Sequence, residues 1–383
     1  MRRGVYFIAL CIGMTLLGSI ARANNTDGVT DTEIKLGMVN AQSGPAAGLG
    51  KGMRLGAEAV FKEVNAKGGI NGRKISLVVA DDGYEPDKAV DETLKMIEEQ
   101  KVFGLFGYVG TPTSNAVLPI IKDTHVPLVG LFTGSMALRQ PVNPDIINIR
   151  ASYDDEAEAL VAYFIKTKNA KKFAIFYQED GFGQAVLSGT EKALKKRSMA
   201  LVGKGTFQRN TLAVKAGIAA IAPTAPDVVI MVGPYAPLAA FVKEARANGL
   251  KSDLGTVSFV GTDDFFNTVG AAGEGVVISQ VVPFPGDPSV PIVKECQELL
   301  AKYAPGEKLG FVSLEGAISA KALVKALELA GHDLSREAVI HAFESMSNLD
   351  MGGMVFQMSK DDHQASNTVF LTQIQGGKVT PIK

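Results

Sequence analysis

The sequence predicts an α/β protein of two doubly wound, Rossmann-like lobes joined by a three-stranded hinge. From Glu33 onward, short apolar runs alternate with segments of helical period, the pattern of βα units around mainly parallel sheets. The alternation runs once up to INIR at 147–150 and then starts again, so two similar lobes follow in series with a cleft between them. A chain of 383 residues, 46% of them hydrophobic, is long enough to give each lobe its own core.

EIKLGMV (33–39) reads as the first strand. Met53, Ala57, Val60, Phe61 and Val64 then recur at helical spacing, and Lys67-Gly68-Gly69 ends that helix with a cation for its dipole and glycines for its C-cap. KISLVVA (74–80), a helix over 86–100, FGLFGYV (103–109), a helix over 112–123 and VPLVGLF (126–132) complete the first run. The second comprises a helix over 154–168, FAIFYQ, a helix over 183–197, ALVGKGTF, a helix over 211–221, DVVIMVG, a helix over 235–248 and VSFVGT. A third block holds VVISQVV, helices near 289–303, 311–330 and 335–346, and strand-like MVFQM and NTVFLTQI. Crossovers near Arg150, Val282 and Met354 take the chain between lobes three times. They assign 31–150 with 282–354 to the first lobe and 151–281 with 355–383 to the second.

Residues 1–23 read as a secretory signal peptide, which implies a periplasmic product. Arg2 and Arg3 precede VYFIALCIGMTLLGSI, and Ala21-Arg22-Ala23 offers small residues for cleavage. The apolar run of about 16 residues is short of the ~20 that a spanning helix needs. Its removal takes three of the 39 Lys+Arg and none of the 40 acids, for a net charge of about −4. That balance excludes nucleic acid as a partner. Cys296 is then the remaining cysteine, so no internal disulfide is expected.

Catalytic and cofactor motifs are missing. The glycines of AQSGPAAGLGKGMRLGAEAV (41–60) suggest a phosphate loop, but Pro45 stands where its first Gly belongs and Gly52 where its hydroxyl belongs. There is no Gly-x-Ser-x-Gly elbow, and none of the four histidines, His125, His332, His341 and His363, is marked as a base. Asp81-Asp82 and Asp263-Asp264 lack the Asp-x-Asp-x-Asp-Gly spacing of a calcium loop. The expectation is no enzyme, no cofactor and no metal.

Three strand ends carry the candidate chemistry, because open α/β sheets bind ligands beyond the carboxyl ends of their strands. FGYVGTPTSNAV runs from a strand into a helix with Thr111 as N-cap and Pro112 first, a start that offers unpaired N–H groups to an anion. VPLVGLF opens into Thr133-Gly134-Ser135. Hydroxyls and amides of these two loops suit one carboxylate, although Thr111 as a plain helix cap fits the sequence equally. Asp263 follows VSFV in the other lobe.

These pieces together resemble the type I periplasmic solute-binding proteins of ABC importers, in particular their branched-chain amino acid binding branch. The resemblance runs through QSGPAAGLGKGMRLGAEAVFKEVNAKGGINGRKISLVVADDGYEPDKAV, FGYVGTPTSNAV, VPLVG, NIRASYDDEA, FAIFYQEDGFGQ, PDVVIMVG, FVKEARANGL and GAAGEGVV. It implies a monomer that closes two lobes, flytrap fashion, on a small-molecule ligand, an amino acid or related carboxylate, and delivers it to an ABC permease in the inner membrane. The opening glycine-rich stretch becomes a ligand-facing turn. The implied carboxylate site is Thr111, Phe132, Thr133 and Gly134, with Ser135 beside it; the implied ammonium acceptor is Asp263; Phe182 and Tyr235 form an aromatic wall, and Leu49 faces the ligand.

The chain departs from that branch at several of these positions. Leu49 and Phe182 stand where tyrosines are usual, FTGSMALR replaces an Ala-Thr segment, and Asp263 is one methylene shorter than a glutamate. Arg150, beside a crossover, reads as a hinge salt bridge or, with Tyr153, as a contact to an acidic ligand. Alternative readings keep the fold and change the role: an aromatic carboxylate or aliphatic amide as cargo, or a solute sensor for a signalling receptor.

Overall fold

The computed structural model describes residues 26–382, so the signal-peptide reading lies outside the described residues. The first lobe begins β1 (Glu33–Asn40), α1 (Ala47–Ala66), β2 (Lys74–Asp81), α2 (Pro86–Glu98), β3 (Gly104–Phe106), α3 (Thr111–Thr124), β4 (Leu128–Val129) and β5 (Ile146–Ile147). Its five strands are parallel in the order β2-β1-β3-β4-β5.

The second lobe follows with α4 (Tyr153–Lys168), β6 (Phe173–Gln178), α5 (Gly181–Lys195), β7 (Leu201–Phe207), α6 (Lys215–Ile221), β8 (Val228–Val232), α7 (Tyr235–Ala247), β9 (Asp253–Thr256), α8 (Thr262–Val269) and β10 (Val277–Gln280). Read from β7, its sheet runs β7-β6-β8-β9-β10, the same doubly wound order. In both lobes the order reverses beside the first strand, and ligands bind such sheets at that switch point. The loops after β1 and β3 therefore face those after β6 and β8.

The chain returns to the first lobe with α9 (Pro291–Tyr303), α10 (Phe311–Ala330) and α11 (Arg336–Glu344), followed by the hairpin β11 (Leu349–Asp350) and β12 (Val355–Phe356). Ile292, Cys296, Leu323 and Phe343 of these helices share one core with Leu36 and Phe106 of the first sheet. Burial pushes the Cys296 thiol up to about 12. The antiparallel strands β13 (Phe370–Gln375) and β14 (Lys378–Pro381) then extend the second sheet beyond β10.

Three local readings change. First, α1 starts at Ala47, so Gly48, Gly50 and Gly52 lie inside a helix rather than in a ligand-facing turn. These glycines serve packing: a Cβ on Gly50 would fall 1.9 Å from the Ala41 carbonyl oxygen, and one on Gly56 1.8 Å from that of Ser313 in α10. Second, VSFV is not a strand. β9 is the preceding Asp253–Thr256, and Ser258–Val260 form a 3₁₀ turn. Sheet pairing with β8 and β10 overrides the weak strand propensity of DLGT.

Third, the last passage between lobes comes later than Met354. Residues 363–365 lie against β5, where Asn148 donates to the His363 carbonyl and Ala365 donates to that of Asn148. Phe356, Met358 and Ala365 are buried in the first lobe's core. His363 is no base: its ring bonds the Ile146 carbonyl and Glu344.

Candidate functional site

The cleft is built where the two switch points meet, and the lobes are closed on one another. One apolar cluster crosses the divide, joining Ala46, Leu49, Tyr84 and Phe132 of the first lobe to Tyr153, Phe182 and Phe259 of the second. Phe259 is its hub, with ring centroids 4.4 Å from Phe182, 5.4 Å from Phe132 and 6.0 Å from Tyr84. Tyr153 stacks obliquely on Phe182 at 5.3 Å. Burying large aromatic surfaces from both lobes is what makes the closed form stable.

Thr111 and Thr133 meet at the first-lobe side of this ring. Both are buried, and their hydroxyl oxygens stand 2.7 Å apart. Thr111 is the first residue of α3 and not its cap. Gly110 occupies the N-cap with φ of 102°, and the helix start has no side-chain cap. One hydroxyl hydrogen satisfies the bond between the threonines, so the pair retains a second proton to donate. The N-terminal amides of α3 add partial positive charge.

The loop carrying Thr133 is held from behind by Arg139, which is buried and donates to the carbonyls of Thr133, Ser135 and Arg150. Gly134 lies under Tyr153, where a Cβ would come 2.6 Å from the ring. The Ser135 amide donates to the Thr133 hydroxyl, so Ser135 shapes the loop through its backbone. Burial pushes the Tyr153 phenol up to about 12, partly offset by the Arg150 cation.

Arg150 joins four pieces of the hinge. Its guanidinium pairs with Glu156 of α4 at 2.7 Å and Glu315 of α10 at 3.2 Å, and it also bonds the Ser258 hydroxyl. It lies 5.1 Å over the Phe132 ring. This is the hinge salt bridge anticipated for Arg150. Its Nε, like the Tyr153 hydroxyl and Gln178 Oε1, is buried without a hydrogen-bond partner.

The remaining expected residues are divided. Leu49 is fully buried and packs on Gly261, and the Tyr235 hydroxyl accepts from the Gly48 amide across the cleft. Asp263 is set apart from the aromatic ring. It is exposed, and its carboxylate accepts from the Phe311 amide at 2.8 Å, at the start of α10. Asp263 and Asp264 line a groove between the lobes with Lys51 and Arg54. The 3₁₀ turn accounts for this placement, because it presents Phe259 to the cleft and carries Asp263 past it.

Phe259, Tyr84 and Gln178 were not among the expected site residues. Gln178 Nε2 donates to the Tyr84 hydroxyl across the cleft at 3.1 Å. A polar latch closes the rim beside them, where Asn210 and Arg209 both bond Glu85. Tyr84 is aimed by Asp82, which accepts from its amide.

The second Asp82 oxygen has no partner, and burial pushes the carboxyl up to about 7. The unfolded chain then sheds its proton near pH 4 while the folded chain retains it, so Asp82 costs stability progressively as pH rises from about 4 to 7. Relative to Asp82→Asn, the wild type is expected to lose up to about 4 kcal/mol across that window and nothing further above it. Thermal melts of both proteins from pH 4 to 8 check this; a constant difference would refute it.

Residues 33–378 match the family described as periplasmic binding protein. The chain belongs to that family. Within it, this periplasmic binding protein is of type I and of the leucine/isoleucine/valine-binding branch. It is 24% identical to the leucine-specific-binding protein of Salmonella typhimurium over 275 residues, which cover 72% of this chain and 74% of that one. A possible leucine/isoleucine/valine-binding protein from Rhodopirellula baltica SH 1 superposes with a TM-score of 0.88 at 34% identity, over 94% of this chain and 98% of that one. A fatty acid ABC transporter substrate-binding protein from Thermomonospora curvata gives 0.83 at 25% identity, over 94% of each chain. The periplasmic binding protein is thus homologous to the branched-chain amino acid binding proteins of ABC transporters, a solute-binding family and not an enzyme family.

Proposed function

We propose that this protein is the periplasmic component of an ABC importer, which captures a small carboxylate-bearing solute between its lobes and presents the closed form to a membrane permease. The observation that carries the reading is the buried Thr111–Thr133 hydroxyl pair beside the uncapped start of α3. Neutral donors converging there suit a carboxylate, whose charge strengthens each hydrogen bond. Thr111, Phe132, Thr133, Gly134 and Ser135 form the anion end in this reading, and Leu49, Phe182 and Tyr235 the wall. Closure follows from differential affinity, because a solute touching both lobes stabilises the closed state over the open one.

An amino acid is the cargo that the kinship with branched-chain binders suggests, and it would require an acid for the ammonium group. The fatty acid binder among the relatives is named for a carboxylate that carries no amine. The anion end is common to both. Mass spectrometry of the solute released on denaturing the purified protein is expected to yield a small carboxylic acid. Thr111→Val and Thr133→Val should each weaken its binding by about 1.5–3 kcal/mol, tenfold to a hundredfold in calorimetry. Unchanged affinity in both variants would refute the anion end.

A further inference from the structure

We infer that the second lobe caps two helices of the first in trans, so that Asp263 sets the balance between open and closed forms, and through it solute affinity, without touching the solute. This rests on the solute-binding reading above and concerns its closing step. The 20-residue helices α1 and α10 start along the groove between the lobes, and neither has a side-chain cap of its own: Ala46 and Gly310 occupy the N-cap positions. Ser152, Asp180 and Ser335, by contrast, cap α4, α5 and α11 from their own loops. A helix start without such a cap leaves its first backbone donors to water.

The second lobe supplies what α1 and α10 lack. Asp263, in the first turn of α8, accepts from the Phe311 amide at 2.8 Å, and the hydroxyl of Tyr235, the first residue of α7, accepts from the Gly48 amide at 3.2 Å. Glycines admit these neighbours: a Cβ on Gly310 would run into the Asp263 carboxylate, and one on Gly48 into that of Asp264. Both bonds join different lobes, so parting the lobes breaks them and returns the amides to water. The caps therefore count only in the closed form, and a contact made in one of two states shifts the balance towards that state. Desolvation at the helix start raises the Asp263 carboxyl above its ordinary value, and the Phe311 amide offsets part of this, so the hydrogen bond rather than the charge is what the position uses. A neutral acceptor of the same shape serves equally, since Asn caps helices as well as Asp does.

Amide hydrogen exchange over residues 310–315 and small-angle scattering, both on the protein as purified, read the cap directly. Asp263→Ala should speed exchange in that segment by about threefold or more and shift the scattering to a larger particle, and Asp263→Asn should do neither. Gly310→Ala, which keeps Asp263 and blocks its approach, should reproduce Asp263→Ala. Calorimetric titration with leucine and with octanoate adds the affinity. For whichever binds, Asp263→Ala and Gly310→Ala are each expected to weaken it by about threefold to thirtyfold, and Asp263→Asn by less than about threefold. Asp263→Asn costing leucine as much affinity as Asp263→Ala would mark an ammonium acceptor, overturning the inference and leaving the solute-binding reading standing. Unchanged exchange, scattering and affinity in both alanine variants would do the same. Binding of neither acid, with no small molecule released on denaturation, would overturn the solute-binding reading, and exchange and scattering would still decide the cap.

Discussion

An Arg150→Ala variant is expected to lose about 3–5 kcal/mol of stability, because a buried charge cluster that loses its one shared cation leaves uncompensated carboxylates behind. Glu156 and Glu315 both turn to this guanidinium, and neither side chain is more than slightly accessible to water. Burial already raises the Glu315 carboxyl to about 7 with Arg150 present. Without it, the Glu315 carboxyl should titrate higher still. A carboxyl whose folded pKa is raised above its unfolded value destabilises as pH rises between the two, so the variant should recover stability as pH falls from 7 towards 5. Thermal melts across that range check the prediction, and Glu315→Gln in the Arg150→Ala background should recover part of the loss at pH 7. A loss under 1 kcal/mol would mean that the cluster is not what holds the hinge.

Phe259→Ala should have the second largest effect, and chiefly on the closed state. The ring touches Tyr84, Phe132 and Phe182, two of them in the opposite lobe. Truncating a fully buried Phe costs about 3–5 kcal/mol, of which the part belonging to cross-cleft contacts is lost only when the lobes are together. Solute affinity is therefore expected to fall by a hundredfold or more, about 3 kcal/mol, with small-angle scattering showing a more open particle. Phe259→Leu should retain most of the affinity for an aliphatic solute and less for an aromatic one. A variant with full affinity and unchanged scattering would remove Phe259 from the closure mechanism.

Phe259 was also the least legible residue in the sequence, for a physical reason. VSFV has the composition of a strand, and period alone cannot separate a short buried strand from a buried turn. The ladder instead took DLGT, whose aspartate and glycine are poor strand formers, because β8 and β10 were there to pair with it. That shift put Phe259 into the aromatic cluster and left Asp263 on the Phe311 amide, in a groove lined by both lobes. The glycines at the start of α1 misled similarly: Gly48, Gly50 and Gly52 look like a turn, but Gly50 marks backbone packed against backbone. What could be read correctly was whatever repeats. The alternation of strand and helix gave both sheets, and the strand ends named Thr111 and Thr133, whose hydroxyls meet in the structure. Tyr84 and Gln178 had no local signature, since their bond joins residues from different lobes.

The single described thiol has a practical consequence. Cys296 lies wholly inside the first lobe, and a thiol held near pKa 12 is almost never a thiolate at neutral pH. Maleimide and iodoacetamide dyes will pass it by while the fold is intact. A cysteine introduced on the exposed loop beside the Arg209–Glu85 latch, at Leu212 for example, would be the preferred target of such a dye. Its fluorescence would report each closing of the cleft, turning the protein into an optical sensor for its own cargo.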